Sequence, residues 1–119
     1  MLARLNAIKK AQDFQTIFKK AKSFRNNIFI FKTMKNGLEI SRFAFVVSQK
    51  VSKKATIRNK VRRRLAESVR AEMKSVKKGT DSLFIALPGV EKKEFAEIKK
   101  TVNDALIKSG LIGLPSKIS

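Results

Sequence analysis

The chain has 119 residues, of which 28 are Lys or Arg and 9 are Asp or Glu, giving a net charge of +19. That length suits one domain around one core, and a hydrophobic share of 43% excludes a disordered polycation. The lack of Cys and His excludes disulfides, thiolate metal sites, thiol nucleophiles and the commonest general base. A compact body so charged repels itself unless a polyanion neutralises it, which points first to nucleic acid and second to an anionic membrane. No stretch approaches the roughly 20 apolar residues of a membrane-spanning helix and no signal-peptide pattern opens the chain, so a cytoplasmic protein is expected.

Residues 1–9 are basic and weakly patterned and read as a loosely held arm. In "AQDFQTIFKKAK" (11–22), Phe14, Ile17, Phe18 and Ala21 recur at helical spacing, which predicts an amphipathic helix. "NNIFIFKTM" (26–34) reads as a strand, Asn36-Gly37 as a turn, and "SRFAFVVS" (41–48) as the antiparallel partner in a hairpin. Ile57, Val61, Leu65, Val69, Met73 and Val76 then step by three or four, predicting a helix that Gly79 ends. "DSLFIAL" (81–87) reads as a third strand stopped by Pro88-Gly89, and residues 91–110 as a final helix with Phe95, Ile98, Val102, Ala105 and Leu106 on its apolar stripe. Residues 111–119 read as a frayed tail. The order α-β-β-α-β-α predicts a single α/β (α+β) domain: a two-layer sandwich of a small mixed sheet and helices, with the two strands flanking the long helix parallel.

Between residues 53 and 70 lie Lys53, Lys54, Arg58, Lys60, Arg62, Arg63, Arg64 and Arg70 against the single acid Glu67. The apolar stripe makes this a docked helix, and its cations must occupy the remaining circumference. A solvated face would mix signs, because like charges four residues apart repel. Arg58 with Arg62, and Lys60 with Arg64, break that pattern, and Arg's planar fork suits phosphate oxygens. Lys50, Lys53 and Lys54 stand just before the helix start, whose backbone N–H groups already attract phosphate. Asn59, a poor helix former, is either a tolerated exposed amide or a hydrogen-bonding group for RNA or hydrated Mg²⁺. The few acids are scattered, and Glu91, Glu94 and Glu97 alternate with lysines as surface pairs do, so no carboxylate cluster for a self-sufficient nuclease is visible.

"VSQKVSKKATIRNKVRRRLAE" (47–67) resembles the signature of the bacterial ribonuclease P protein component, a V-S-K-K loop followed by an R-N-R helix, K-R and an acid. Here these are Val47-Ser48-Gln49-Lys50, Arg58-Asn59-Lys60, Arg62-Arg63 and Glu67. "IKKAQDFQTIF" (8–18) is similar to the family's first helix with its D-F-x-x-x-F pair, "SRFAFVVS" to its second strand, and "DSLFIALPG" to its third. The chain departs from the pattern at Lys60, at Ser52-Lys53-Lys54 in a longer loop, at Ala66 and Leu87 in place of Arg, and at Lys32 in place of an aromatic.

The resemblance implies a left-handed βαβ crossover and a protein that assists a catalytic RNA, which removes the 5′ leader from precursor tRNA with Mg²⁺. It implies no catalytic residue in the protein, Mg²⁺ held mainly by the RNA, broader substrate and metal tolerance, and a single protein copy in the complex without membrane or small-molecule substrate. RNA-subunit contacts fall to Lys50, Lys53, Lys54, Arg58, Asn59, Lys60, Arg62, Arg63 and Arg70, with Asn59 also the candidate for placing a metal ion. The 5′-leader cleft falls to Phe14, Phe18, Ile30, Lys32, Val46, Ser48 and Lys50. Core packing is the plain alternative for the two Phe, and a ribosomal-protein-like RNA-binding domain is the alternative for the whole chain.

Overall fold

The computed structural model of the protein describes residues 6–113; most of the expected arm and tail lies outside them. The elements are β1 (Asn6–Ala7), α1 (Ala11–Lys20), β2 (Lys22–Arg25), β3 (Phe29–Lys35), β4 (Arg42–Val46), α2 (Ala55–Arg70), β5 (Thr80–Ala86) and α3 (Phe95–Lys108). The five strands form one mixed sheet in the order β1-β4-β5-β3-β2.

The expected pairing of the strands on either side of Asn36-Gly37 does not occur. β5 lies between them, antiparallel to β3 and, as expected for strands flanking α2, parallel to β4. The reason is burial. Asp81, Ser82, Leu83, Phe84 and Ala86 are all buried, so β5 is covered on both faces and takes the centre. Asn36 guides the chain across it: its N–H donates to Gly79 O at 2.9 Å, and its Nδ2 donates to Asp81 Oδ1 at 2.8 Å. Gly79 therefore opens β5 and does not cap the helix. Its φ of +89° suits only glycine, and a Cβ there would meet Leu38 O at 3.0 Å.

The antiparallel hairpin is instead β2-β3, built on the polar pair Asn26-Asn27. Asn26 Oδ1 accepts from the N–H groups of Ile28 and Phe29 at 2.8 and 2.9 Å, which turns the chain there. β2 carries one half-buried apolar side chain, Phe24, and so gave no alternating pattern. Its neighbour across the turn, β3, alternates cleanly, with Phe29, Phe31 and Thr33 buried.

Strand alternation then divides the core. Phe29, Phe31, Phe43, Phe84 and Ala86 face a helical layer made by Val61, Leu65 and Val69 of α2 and Ile98, Val102 and Leu106 of α3. The Phe84 ring lies 5.1, 4.6 and 5.4 Å from those of Phe29, Phe31 and Phe45. On the opposite face, Ile17 of α1 buries against Leu83, with Phe14, Ala44, Val46 and Ile85 packed around them. α1 lies alone there, with no second helix beside it among the described residues.

α2 is shorter than its stripe. It ends at Arg70, and Met73–Ser75 form a 3-10 turn that delivers Val76 to the core. The final step in the pattern, three where four preceded, fits that tighter turn. α3 begins at Phe95, after a 3-10 turn at Val90–Lys92. It ends in a Schellman motif: Gly110 N–H donates to Ile107 O, and Leu111 N–H to Leu106 O, both at 3.0 Å. Leu111 and Ile112, expected in the frayed tail, are buried, and Leu111 O accepts from Lys77 N–H at 2.7 Å. Likewise Asn6 and Ala7, expected in a loose arm, pair with Arg42 and Phe43 of β4. Gly110 has φ +81° and a Cβ there would meet nothing within 4 Å, so Gly110→Ala carries a purely backbone cost. A loss of about 1 kcal/mol is expected in urea unfolding, the left-handed penalty less the entropy Ala removes from the unfolded chain.

Candidate nucleic-acid interface

The first candidate surface lies where α1 crosses the sheet. Buried Ile17 anchors the helix, which leaves Phe14 half-buried and Phe18 51% exposed on the same side. Below them the strand register aligns the expected residues: Ile30 stands opposite Ile85, which in turn stands opposite Val46, and Lys32 stands opposite Leu83. Lys32 Nζ sits 5.9 Å from the centre of the Phe18 ring, so a cation faces an aromatic plane at the mouth of the groove. Ser48 and Lys50 lie in the turn just after β4. Ser48 Oγ accepts from Lys50 N–H at 3.2 Å, and both side chains are exposed. Five of the seven expected cleft residues, Phe14, Phe18, Ile30, Lys32 and Val46, therefore stand on α1 and on the strands beneath it, and Ser48 and Lys50 lie in the turn that follows β4.

Sequence reasoning missed the group that holds α1 in place. Arg42 donates from Nε and Nη2 to the two oxygens of Asp81 at 2.8 and 2.6 Å, and from Nη1 to Asp13 Oδ2 at 3.3 Å. Asp81 is 5% exposed and also accepts from Asn36. The fork ties α1 to the central strand. Its hydrogen bond to Asp81 foremost, opposed by desolvation and aided by the charges of Asp81 and Asp13, raises the Arg42 pKa above its ordinary value. Arg42 thus stays charged across the ordinary pH range. A signal was present: Asp13, Arg42 and Asp81 each stand at or near the head of one of the three motifs outside α2.

The second surface is α2. No side chain caps its N-terminus and no acid stands in its first turn, so its leading N–H groups keep no side-chain acceptor, and Lys50, Lys53 and Lys54 stand just before them in the chain. The arginines then divide by role. Arg58 turns back and donates from Nη1 to Ser52 O and Lys53 O at 3.0 and 2.9 Å, shaping the loop from within. Arg64 reaches Lys93 O at 3.3 Å, and Arg70 pairs with Glu67 at 2.6 Å. Arg62 donates to Asn59 Oδ1 at 2.6 Å. Lys60 and Arg63 are exposed without a side-chain partner among the described residues. Thr56, Asn59, Arg62 and Arg63 line one shallow depression of about 480 Å³, suited to phosphate oxygens.

The donor set does not fit a metal bound directly by protein. The Asn59 oxygen is already taken by a guanidinium, and among the described residues no three His, Cys, Asp or Glu converge. The acids of α3 and the turn before it serve other ends: Glu97 pairs with Lys93 at 3.6 Å, and Glu91 accepts from Gly89 N–H at 2.9 Å.

Comparison with known proteins is consistent along nearly the whole chain. The family model described as Ribonuclease P matches residues 2–110. The ribonuclease P protein component of Alkaliphilus oremlandii is 36% identical over 108 residues, 91% of this chain and 94% of that protein. Among solved structures, the RNase P protein of Staphylococcus aureus superposes with a TM-score of 0.83 at 26% identity, covering 92% of this chain and all of that one (100%). The RNase P protein from Thermotoga maritima gives 0.78 at 30% identity, covering 87% and 96%.

Proposed function

This chain belongs to the ribonuclease P protein family, and we propose that it is the RNA-binding subunit that grips the 5′ leader of precursor tRNA while holding the catalytic RNA. The observation that carries the reading is the pairing of two unlike surfaces on one small body. One is a groove with an exposed Phe18 under Lys32; the other is a helix face presenting Lys60, Arg62 and Arg63. The groove suits a single strand of any sequence, because every base has a face to stack and Phe cannot hydrogen-bond to choose among them. The helix suits phosphates held in fixed geometry.

Each surface then has a physical task. The net charge of +19 offsets the repulsion between two polyanions that must approach closely. Leader contacts add binding energy that mature tRNA cannot collect, so substrate is favoured over product. Mg²⁺, when bound, supplies charge neutralisation and activates the attacking water, and we place it with the RNA. Phe14 and Phe18 orient the leader, Lys32 neutralises its backbone, and Arg62 and Arg63 fix the protein on the RNA subunit. Membership of the family along the matched length favours this over a ribosomal-protein-like module.

The test is cleavage of leader-bearing precursor tRNA by a bacterial ribonuclease P RNA at low Mg²⁺, with and without the protein. Restored cleavage is expected. With Phe18→Ala, precursor affinity should fall about tenfold, the loss of one stacked base, while mature tRNA affinity stays unchanged. Equal losses for both RNAs would remove the leader from the groove.

A further inference from the structure

Among the described residues, the outer edge of the sheet is only partly covered. β1 stops at Ala7, whereas β4 runs on to Val46. Ile8 N–H donates to Phe43 O at 3.1 Å, and by strand alternation the next outward-facing peptide groups are those of Phe45. No described strand lies beside them. Around this open edge is a cavity of about 440 Å³, within the size range of small-ligand sites. Phe14 from α1 and Ala44 and Phe45 from β4 form its apolar side; Arg62, Arg63 and Arg70 from α2 form the other.

Ala66 decides the shape. Residues 62, 66 and 70 follow one another by single turns on α2, so the short side chain at 66 leaves room between two guanidinium groups. Arg70 is steadied by Glu67 and Arg62 by Asn59, while Arg63 has no partner among the described residues. Among the described residues, no acid lines the cavity. Partly exposed aromatic walls suit a flat ring better than a bare anion. Three cations in turn disfavour a plain hydrocarbon and demand a negative charge on whatever enters. Where no described strand pairs with it, the outward peptide edge at Phe45 offers one donor and one acceptor side by side.

The geometry points to a pocket for one unstacked nucleotide of RNA, its base against the apolar side formed by Phe14, Ala44 and Phe45 and its phosphate on Arg62 and Arg63. This rests on the RNA-binding reading and extends it. Phe14 belongs to the α1 groove as well as to this pocket, so the groove and the basic helix form one path around the β4 edge instead of two separate surfaces.

Titration of the full-length protein with adenosine 5′-monophosphate, ribose 5-phosphate and inorganic phosphate, followed by amide NMR shifts, tests it. The monophosphate should shift the Phe45 and Ala66 amides at concentrations at least tenfold lower than ribose 5-phosphate. Ala66→Arg adds a cation but fills the space; it should abolish that preference while binding ribose 5-phosphate no more weakly. If Ala66→Arg melts early, Ala44→Leu closes the facing wall and should have the same effect on the preference. Equal responses to the nucleotide and the sugar phosphate, shifts confined to Phe18 and Lys32, or ligand-independent shifts that grow with protein concentration would each overturn the assignment. No tRNA enters this experiment, so its failure leaves the leader reading to the cleavage assay.

Discussion

Arg42→Ala is expected to lower the unfolding free energy by about 2–3 kcal/mol and to weaken leader binding at the same time. The substitution strands the Asp81 carboxylate, whose side chain is 8% exposed, with Asn36 as its remaining side-chain partner. Breaking a buried pair from one side costs about 3–5 kcal/mol, and the 22% exposure of the Arg42 side chain, which lets water reach the site, brings the figure down. The Asp13 arm contributes less, because it is longer at 3.3 Å and its carboxylate is 28% exposed. Losing that arm leaves α1 held to the sheet by the burial of Ile17, so the helix can turn about that contact and Phe14 and Phe18 lose their fixed orientation over the groove. Urea unfolding reads the first effect and the ratio of precursor to mature tRNA affinity reads the second. Arg42→Lys should recover less than half of the stability, since a single ammonium cannot hold both Asp81 oxygens as the fork does. A cost below 1 kcal/mol would mean that the network behaves as a surface pair and does not position the helix.

The Arg62→Ala/Arg63→Ala double variant should lose about a hundredfold in affinity for the RNA subunit, with a salt dependence shallower by about two units of log–log slope. Each arginine is taken to hold one phosphate, and charge-assisted hydrogen bonds contribute about 1.5–3 kcal/mol apiece. Thermal unfolding should hardly move, because neither side chain packs in the core. Arg58→Ala provides the contrast. It removes the bonds to Ser52 and Lys53 carbonyls, so it should disturb the loop and stability along with RNA binding. A double variant that binds with unchanged salt slope would place the RNA elsewhere on the protein.

Those two variants also mark where reading residues stopped working. The stripe on α2 was legible because Val61, Leu65 and Val69 bury against the sheet at helical spacing. The same spacing says nothing about which way a long side chain bends. Arg58 and Arg62 have the same chemistry and stand one turn apart, yet one holds its own loop and the other faces outward beside Asn59. β2 was invisible because a polar edge strand carries no apolar alternation, and its pairing with β3 is recognised only through the Asn26 turn.

The sequence by itself determined the polyanion-binding character, the helical stripes, the three apolar strands and the parallel pairing across α2. Each of these follows from composition or from local periodicity, and local forces suffice to express them. Tertiary structure alone decided that β5 separates β3 from β4, that Leu111 and Ile112 join the core, and that Asp13, Arg42 and Asp81 meet. The physical reason is common to all three. The central place goes to the strand with two apolar faces to bury, and a buried carboxylate must find its cation wherever the finished sheet brings one within reach. Both are global minimisations of exposed apolar surface and unpaired charge, and no window of neighbouring residues contains the partners they select.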